Sequence, residues 1–511
     1  MDDLKLSRKN ARRLFLFALL AAAVVRLLDL ARYYCINSDG VVYLRAAEDF
    51  FRGDIKSGLA SVYPPGYPLL IAVVYPLIGE WELTGQLLSL LCGILLLLPL
   101  YGLFRKVFDE RAALLAAFLA AISPYLVLYS VHVRTESLYL FLSTTAIYLF
   151  LSAIDEQRLM RLFLGGLVAG YAFLVRPEAI GFFALVPVML LARWIFWKDL
   201  RFPSAARSSL AFGIGFVLFA LPFIVYLSID TGHFGALSRK AGITLAINLK
   251  ESGMLDTEDK PEGEDSIHSL EFTEYVRQHP LQYVKKAATD LLPAAGDYFE
   301  ALYYSYVPFL LIGLFLMFRD RLGDKQETLL LGFAAFYVFA FALIYVKRRY
   351  SLQAVPISLA WVACGMWWLW DWLQSRYEPR KARIIALCVA LMFLGGTLPK
   401  TLRSVSEEKA YVRDAGRYLK TLNRNGELKV AVVDERITFY ADAKTVSLID
   451  VEPAQLAAKL REAAPAYLAV EAKALQKFFP DLFAEPEHYG LKLEKVFTGT
   501  RKDRLLLYKS V

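Results

Sequence analysis

Along the first 400 positions apolar residues run in long, nearly uninterrupted blocks, near 13–34, 83–104, 111–129, 137–154, 161–175, 179–197, 209–229, 301–318, 328–346, 351–372 and 384–400. Most reach the length that crosses a hydrocarbon core of about 30 Å at about 1.5 Å per helical residue. Backbone groups in lipid must be satisfied within the segment or in a closed barrel. The blocks are rich in Leu, Ala and Phe, with too little polar alternation for barrel strands, so they predict helices. The expected architecture over 1–400 is an α-helical polytopic membrane domain of about 11 transmembrane helices.

The pattern changes beyond about 401. Leu428 to Val433 and Thr445 to Ile449 are short β-branched runs, separated by helix-like stretches such as Ala454 to Glu462, which predicts a small soluble α/β domain over 401–511. Two long connections, 35–82 and 230–300, interrupt the apolar blocks. In the first, Val41 to Phe51 reads as a surface helix. Tyr63-Pro64-Pro65-Gly66-Tyr67-Pro68 then introduces Leu69 to Ile78, too short to span and suited to a helix lying at or dipping into the interface, its start fixed by the prolines. In the second, Phe272 to Leu292 interleaves Tyr275, Val276, Leu281, Tyr283 and Val284 with Arg277, Lys285 and Lys286, as an interfacial helix does. The acidic stretch Glu251 to Asp265 beside it reads as a flexible loop.

Charge orients this scheme. The net charge of +8 comes from Lys and Arg in short clusters between apolar blocks, which argues against a nucleic-acid partner. With a cytoplasmic N-terminus, every even-numbered connection is basic: Arg105, Lys106 and Arg111; Arg158 and Arg161; Arg193, Lys198, Arg201 and Arg207; Arg319, Arg321 and Lys325; Arg376, Arg380, Lys381 and Arg383. The opposite, extracytoplasmic face of a cytoplasmic membrane receives 35–82, the turns near 130–136 and 176–178, 230–300, the turn 347–350 and the tail. The first block follows Lys5, Arg8, Lys9, Arg12 and Arg13 with no small-residue cleavage site before Arg32, as an uncleaved first span does. Cys35, Cys92, Cys364 and Cys388 show neither metal-ligand spacing nor disulfide density and read as packing residues.

Candidate chemistry gathers on that outer face. Asn37-Ser38-Asp39-Gly40 follows the first span and reads as a tight turn presenting a carboxylate at the membrane surface, where a general base can meet a hydroxyl while a lipid leaving group stays in the bilayer; a plain helix-ending turn has the same residues. Lys347-Arg348-Arg349 puts three cations in a short turn on the face where positive charge is disfavoured, and a lipid phosphate is the simplest requirement for them, snorkelling toward lipid headgroups the alternative. Tyr350 adds a hydrogen bond or an interfacial anchor. His132-Val133-Arg134 and Arg176-Pro177-Glu178 bring Arg134 and Arg176 to the same face, where an arginine can also be only an anchor. Glu136 stands at the start of the fourth span, where it also suits the helix dipole.

The order of first span, outer Asp39, surface helix, Pro64-Pro65-Gly66-Tyr67-Pro68, basic connection ending Phe108-Asp109-Glu110-Arg111, Ser123-Pro124, Glu136, Arg349-Tyr350 and outer α/β tail resembles the bacterial protein mannosyltransferase and aminoarabinose transferase families, which are C-type (GT-C) glycosyltransferases. The resemblance covers almost the whole chain. It implies a membrane enzyme that moves a sugar from a dolichyl- or undecaprenyl-phosphate donor to a lipid, glycan or protein acceptor, generally with inversion. Asp39 would be the general base, and Glu136 a second acidic residue orienting acceptor or donor. Tyr63 departs from the lysine that aminoarabinose transferases carry before the proline pair, at a position of phosphate contact.

No Asp-x-Asp pair stands in the outer turns, and His132 and His233 lack neighbouring ligand patterns, so metal-independent chemistry without a cofactor is expected. A transporter of lipid-linked sugar would need midplane polar sites and repeated halves. Arg26 and Asp29 in the first span are the nearest such pair, one turn apart and able to satisfy each other, and no internal repeat is visible. A scaffold carrying the tail would not need eleven spans.

Overall fold

In the computed structural model, which describes residues 7–511 except 233, 235, 240–275, 322–323, 344–345, 450 and 501–502, every predicted apolar block falls on a helix. Eight helices are long and apolar enough to cross a membrane: Arg8–Ala31, Trp81–Val107, Glu136–Ala153, Pro177–Trp197, Phe202–Thr231, Lys325–Leu343, Arg348–Arg376 and Pro379–Thr401. Two bent pairs bring the number to ten, Glu110–Ile122 with Pro124–Val131 at 54° and Pro280–Leu302 with Val307–Arg321 at 112°. The first bend falls at Ser123-Pro124, where proline opens the second helix without needing the N–H it lacks. The expected count of about eleven is reached only by adding Leu159–Val175, whose 17 residues sit at the lower limit for spanning.

Close helix contact depends on missing side chains. On Leu159–Val175, Gly166 and Gly170 lie one turn apart, and a Cβ at either would stand 2.0 Å and 2.4 Å from the carbonyl oxygens of Phe212 and Phe216. Gly215 answers from the facing helix, its added Cβ 2.2 Å from the Phe163 carbonyl oxygen. This small-residue seam lets two backbones approach where lipid supplies no hydrophobic drive of its own.

The connection after the first span forms the helix Ser38–Phe51, a short turn Ile55–Leu59 and the 13-residue helix Gly66–Ile78, as the Pro-Pro signal predicted. Val73 and Leu77 on it are 72% and 86% exposed, the outward apolar face an interfacial helix presents to lipid. On Pro280–Leu302 the exposed Leu281, Val284 and Leu292 do the same. The expected start of that helix at Phe272 to Tyr275 and the acidic stretch Glu251 to Asp265 lie outside the described residues.

The C-terminal region is a five-stranded sheet in the order β2 (Lys444–Ser447), β1 (Lys429–Val432), β3 (Tyr467–Glu471), β5 (Arg504–Ser510), β4 (Leu491–Thr498). The first three strands are parallel and the last two pair antiparallel. This sheet docks on the first connection. Tyr33 bridges to Val405, the Ile36 N–H donates to Tyr440 Oη at 2.7 Å, and Arg45 donates to Thr445 at 2.9 Å. The segment that carries Asp39 is thus fixed from both sides.

Arg26 and Asp29 do not satisfy each other as expected. Both are buried, but Arg26 donates to the carbonyls of Ala22 and Ala121 at 3.2 and 3.1 Å, and no ion pair joins it to Asp29 among the described residues. It ties the first span to the end of Glu110–Ile122.

Gly166→Leu should force Leu159–Val175 off Phe202–Thr231 and destabilise the protein by about 1–3 kcal/mol or more. Gly296→Leu, at a position with open space, should cost far less. Thermal unfolding of both purified variants in one detergent checks the contrast.

Candidate active site

Asp39 lies in the first turn of Ser38–Phe51, not in the tight turn the sequence suggested. Asn37 caps that helix, its Oδ1 accepting from the Gly40 N–H at 2.8 Å. The cap and the helix dipole both favour a carboxylate here. Gly40 serves closeness rather than turning, since an added Cβ would stand 2.9 Å from Ile36 Cγ1 and 3.2 Å from the Val133 carbonyl oxygen. That contact seats the turn carrying Arg134 beside Asp39.

Among the described residues three groups hold the Asp39 carboxylate. Tyr63 Oη donates to Oδ1 at 2.6 Å, Arg349 Nη1 donates to Oδ2 at 2.9 Å, and Arg134 Nη2 lies 3.5 Å from Oδ2. Burial, with Tyr43 and Asp39 nearby, pushes the Tyr63 hydroxyl well above its usual range, so it stays protonated and donates. Its ring packs on Tyr43 with centroids 4.5 Å apart. The departure from lysine at position 63 thus exchanges a cation for a neutral donor aimed at the carboxylate.

The network continues inward. Arg349 Nε lies 3.7 Å from Glu136 Oε1, Arg176 Nη1 lies 3.3 Å from the same oxygen, and Arg176 Nη2 meets Glu178 at 2.9 Å. Tyr350 supplies the wall between them, its ring 5.4 Å from the Arg176 guanidinium and 5.2 Å from that of Arg349, with Phe341 stacked on it at 4.7 Å. Three guanidinium groups therefore face three carboxylates.

Exposure separates their roles. The side chains of Asp39, Arg349 and Arg134 are 20%, 22% and 20% exposed, whereas Glu136 and Arg176 are at 3% and 6%. Glu136, expected to orient acceptor or donor, is buried between Arg176 and Arg349 as their counter-ion. Arg176 is likewise buried behind Arg349 and Tyr350.

The basic run divides. Arg349 turns to Asp39, while Arg348 turns away, pairing with Glu300 and donating to Tyr125 Oη at 3.1 Å. Lys347 stands at the N-cap of Arg348–Ser351. Tyr43, Glu300 and Tyr125 are partners the sequence reading missed; of these Tyr43 alone carried a local signal, standing one helical turn beyond Asp39.

Among the described residues no three His, Cys, Asp or Glu side chains come together as a metal-ligand set. Asp39 and Glu136 are bridged by Arg349, and Glu136 and Glu178 by Arg176. His233 lies outside the described residues. His132 is a structural group, within 3.3 Å of Tyr33 Oη and 3.4 Å of Asn37 Nδ2, beneath the cap of the Asp39 helix.

Burial, reinforced by Arg134, pushes the His132 imidazole down to about 3. Its folded value lies below the unfolded value of about 6.5, so protonation favours the open chain. The stabilisation is complete above pH 6.5 and is lost as the pH falls from there towards 3. His132→Gln should flatten the decline of melting temperature between pH 6 and 4; an equally steep decline in the variant would contradict this assignment.

Residues 62–229 match the model of the dolichyl-phosphate-mannose-protein mannosyltransferase family. No curated protein matches the chain in sequence. The fold is similar to that of the oligosaccharyltransferase of Archaeoglobus fulgidus, solved with Zn and sulfate, at TM-score 0.62 and 14% identity over 97% of this chain and 73% of that one. It is similar at full length to ArnT from Cupriavidus metallidurans bound to undecaprenyl phosphate, with TM-score 0.58 and 15% identity over 99% of both chains. The mycobacterial arabinofuranosyltransferase AftD matches at TM-score 0.51 and 14% identity, over 99% of this chain and 40% of that one. The family match covers residues 62–229, and over its whole length the chain shares its fold with these membrane proteins.

Proposed function

We propose that this enzyme takes a sugar from a polyprenyl-phosphate carrier at the extracytoplasmic face of the cytoplasmic membrane and transfers it, with inversion, to an acceptor hydroxyl or phosphate, Asp39 acting as general base. The observation that carries the reading is the held carboxylate itself. It is partly open, stands at the loop end of the helix bundle and is fixed by Tyr63, Arg349 and Arg134. The charge alternation of the connections supports an outward orientation for that end. Support for a lipid-phosphate donor comes from the family match and from the undecaprenyl phosphate in the ArnT structure.

The acceptor hydroxyl approaches the anomeric carbon from the Asp39 side as the carbon–oxygen bond to the carrier phosphate breaks on the other. A carboxylate held by two guanidiniums is a weak base in the ground state. It takes the proton late, once bonding to the anomeric carbon has made the acceptor oxygen acidic. Tyr63 and Arg349 fix its direction, and cations of the Lys347-Arg348-Arg349 turn stabilise charge on the departing phosphate.

Asp39→Asn should cut transfer by about 10²–10⁴-fold while the protein stays folded. Tyr63→Phe should lower kcat with little change in KM, because it loosens the base and leaves donor contacts intact. Purified protein in detergent, assayed with radiolabelled polyprenyl-phosphate sugars and membrane extract, measures both. Transfer by folded Asp39→Asn at the wild-type rate would reject the reading.

A further inference from the structure

The C-terminal sheet is docked by one edge and open at the other. β2 receives Arg45 of the first connection through Thr445, whereas β4, at the far end of the strand order, has β5, Ala410–Leu422 and Pro486–Tyr489 as its main neighbours. Among the described residues no further strand pairs with β4, and its eight residues form a long edge of the kind that recruits another strand unless it is covered. The layers of the sheet set its attitude to the membrane. Val430, Ala469 and Leu505 point to the side packed by Ala410–Leu422 together with Cys35 of the first connection, and Ala431, Leu468 and Leu506 to the side covered by Pro453–Ala463 and Ala472–Phe478. The first side faces the helix bundle and the second faces away, so the normal to the sheet runs with the normal to the membrane.

Two antiparallel strands are related by a two-fold axis along the sheet normal, which is also the direction such an axis takes between two copies inserted the same way in one membrane. β4 is self-complementary about it. A bulge between Leu493 and Lys495 places Glu494 and Lys495 on the bundle side together, where Tyr418 Oη donates to Glu494 at 3.0 Å and Lys495 Nζ stands 4.0 Å from the centre of the Tyr418 ring. An axis between these two residues sets Glu494 opposite Lys495 of the second copy, and Leu493 opposite Val496, each pair on one face of the joined sheet. Leu493 and Val496 are 48% and 41% exposed in the single chain. A slip of one residue would instead oppose Glu494 to Glu494 or Lys495 to Lys495 and mismatch the faces, so charge and burial select one register.

We propose that two copies of this chain pair in the membrane by antiparallel addition of β4 to β4, joining their five-stranded sheets into one continuous sheet above the two helix bundles. One strand pair is a small interface. Confinement of both copies to one membrane in one orientation supplies the effective concentration it needs. The pairing goes beyond the transfer reaction and stands whichever donor or base the enzyme uses.

Disulfide trapping of full-length protein in membranes tests it. Cys35 and Cys92 are buried, so a background of Cys364→Ser and Cys388→Ser removes the accessible thiols. Leu493→Cys co-expressed with Val496→Cys under a second tag should give a mixed cross-linked dimer on oxidation. Either variant alone should give almost none, its two thiols lying about 10 Å apart along the strands, beyond disulfide reach. Glu494→Lys in both copies should abolish the mixed product, and Glu494→Lys with Lys495→Glu should restore it, which a misfolded tail would not do. Absence of the mixed product, equal product from Leu493→Cys alone, or a charge swap that fails to restore cross-linking would each overturn the pairing. A mixed disulfide with an unrelated chain in place of the dimer would overturn it as well, by giving the edge to another occupant.

Discussion

The alternation of charge running from Asp39 through Arg349, Glu136 and Arg176 to Glu178 is the constraint on which the reactive end of this bundle depends. Glu136 and Arg176 at its middle are almost fully buried, and removing one partner of such a pair costs about 3–5 kcal/mol because it strands the other charge away from water. The five side chains come from the first connection, the turn after the ninth span, the start of the fourth span and the turn between the fifth and sixth. Charge balance therefore fixes four separate pieces of chain against one another. The two end carboxylates, Asp39 and Glu178, are 20% and 17% exposed, and the network closes between them.

Each supporting element serves this geometry. The Asn37 cap sets the helix that carries Asp39, the absent Gly40 side chain lets the Arg134 turn approach, and the Pro64-Pro65 pair sets Tyr63 at hydrogen-bonding distance. Tyr350 separates two guanidiniums that would otherwise repel, offering each an aromatic face. The C-terminal sheet holds the same connection through Tyr33, Ile36 and Arg45. Tyr440 bonds both Ile36 and Glu82, so the sheet also grips the start of the second span.

The membrane helices were legible because lipid imposes one requirement on every residue of a span, and a single hydropathy rule reads it. Asp39, Tyr63, Arg134, Arg176 and Arg349 were legible as charges or hydroxyls on one face, and they do converge. Their division of labour was not, because it depends on depth: Glu136 and Asp39 are both acidic residues beside outer span ends, and only packing puts one behind arginines. Neighbours in sequence likewise part company, Arg348 and Arg349 pointing to different partners because they leave a short helical turn in different directions. Strands β1 and β2 showed as β-branched runs, whereas β3, with Ala469 at its centre, β4, with Lys and Glu along an exposed edge, and the continuous leucines of β5 lacked that signal. The capped helix at Asp39 was hidden because Asn-Ser-Asp-Gly serves as a helix start as readily as a turn.

The most direct measurement of the central claim is an experimental structure of the Asp39→Asn variant with a polyprenyl-phosphate sugar bound. The account predicts the anomeric carbon between residue 39 and Arg348, with the sugar in the space bounded by Tyr63, Arg349 and Arg134. A sugar bound away from residue 39, with the Asp39 cluster left to itself, would contradict it.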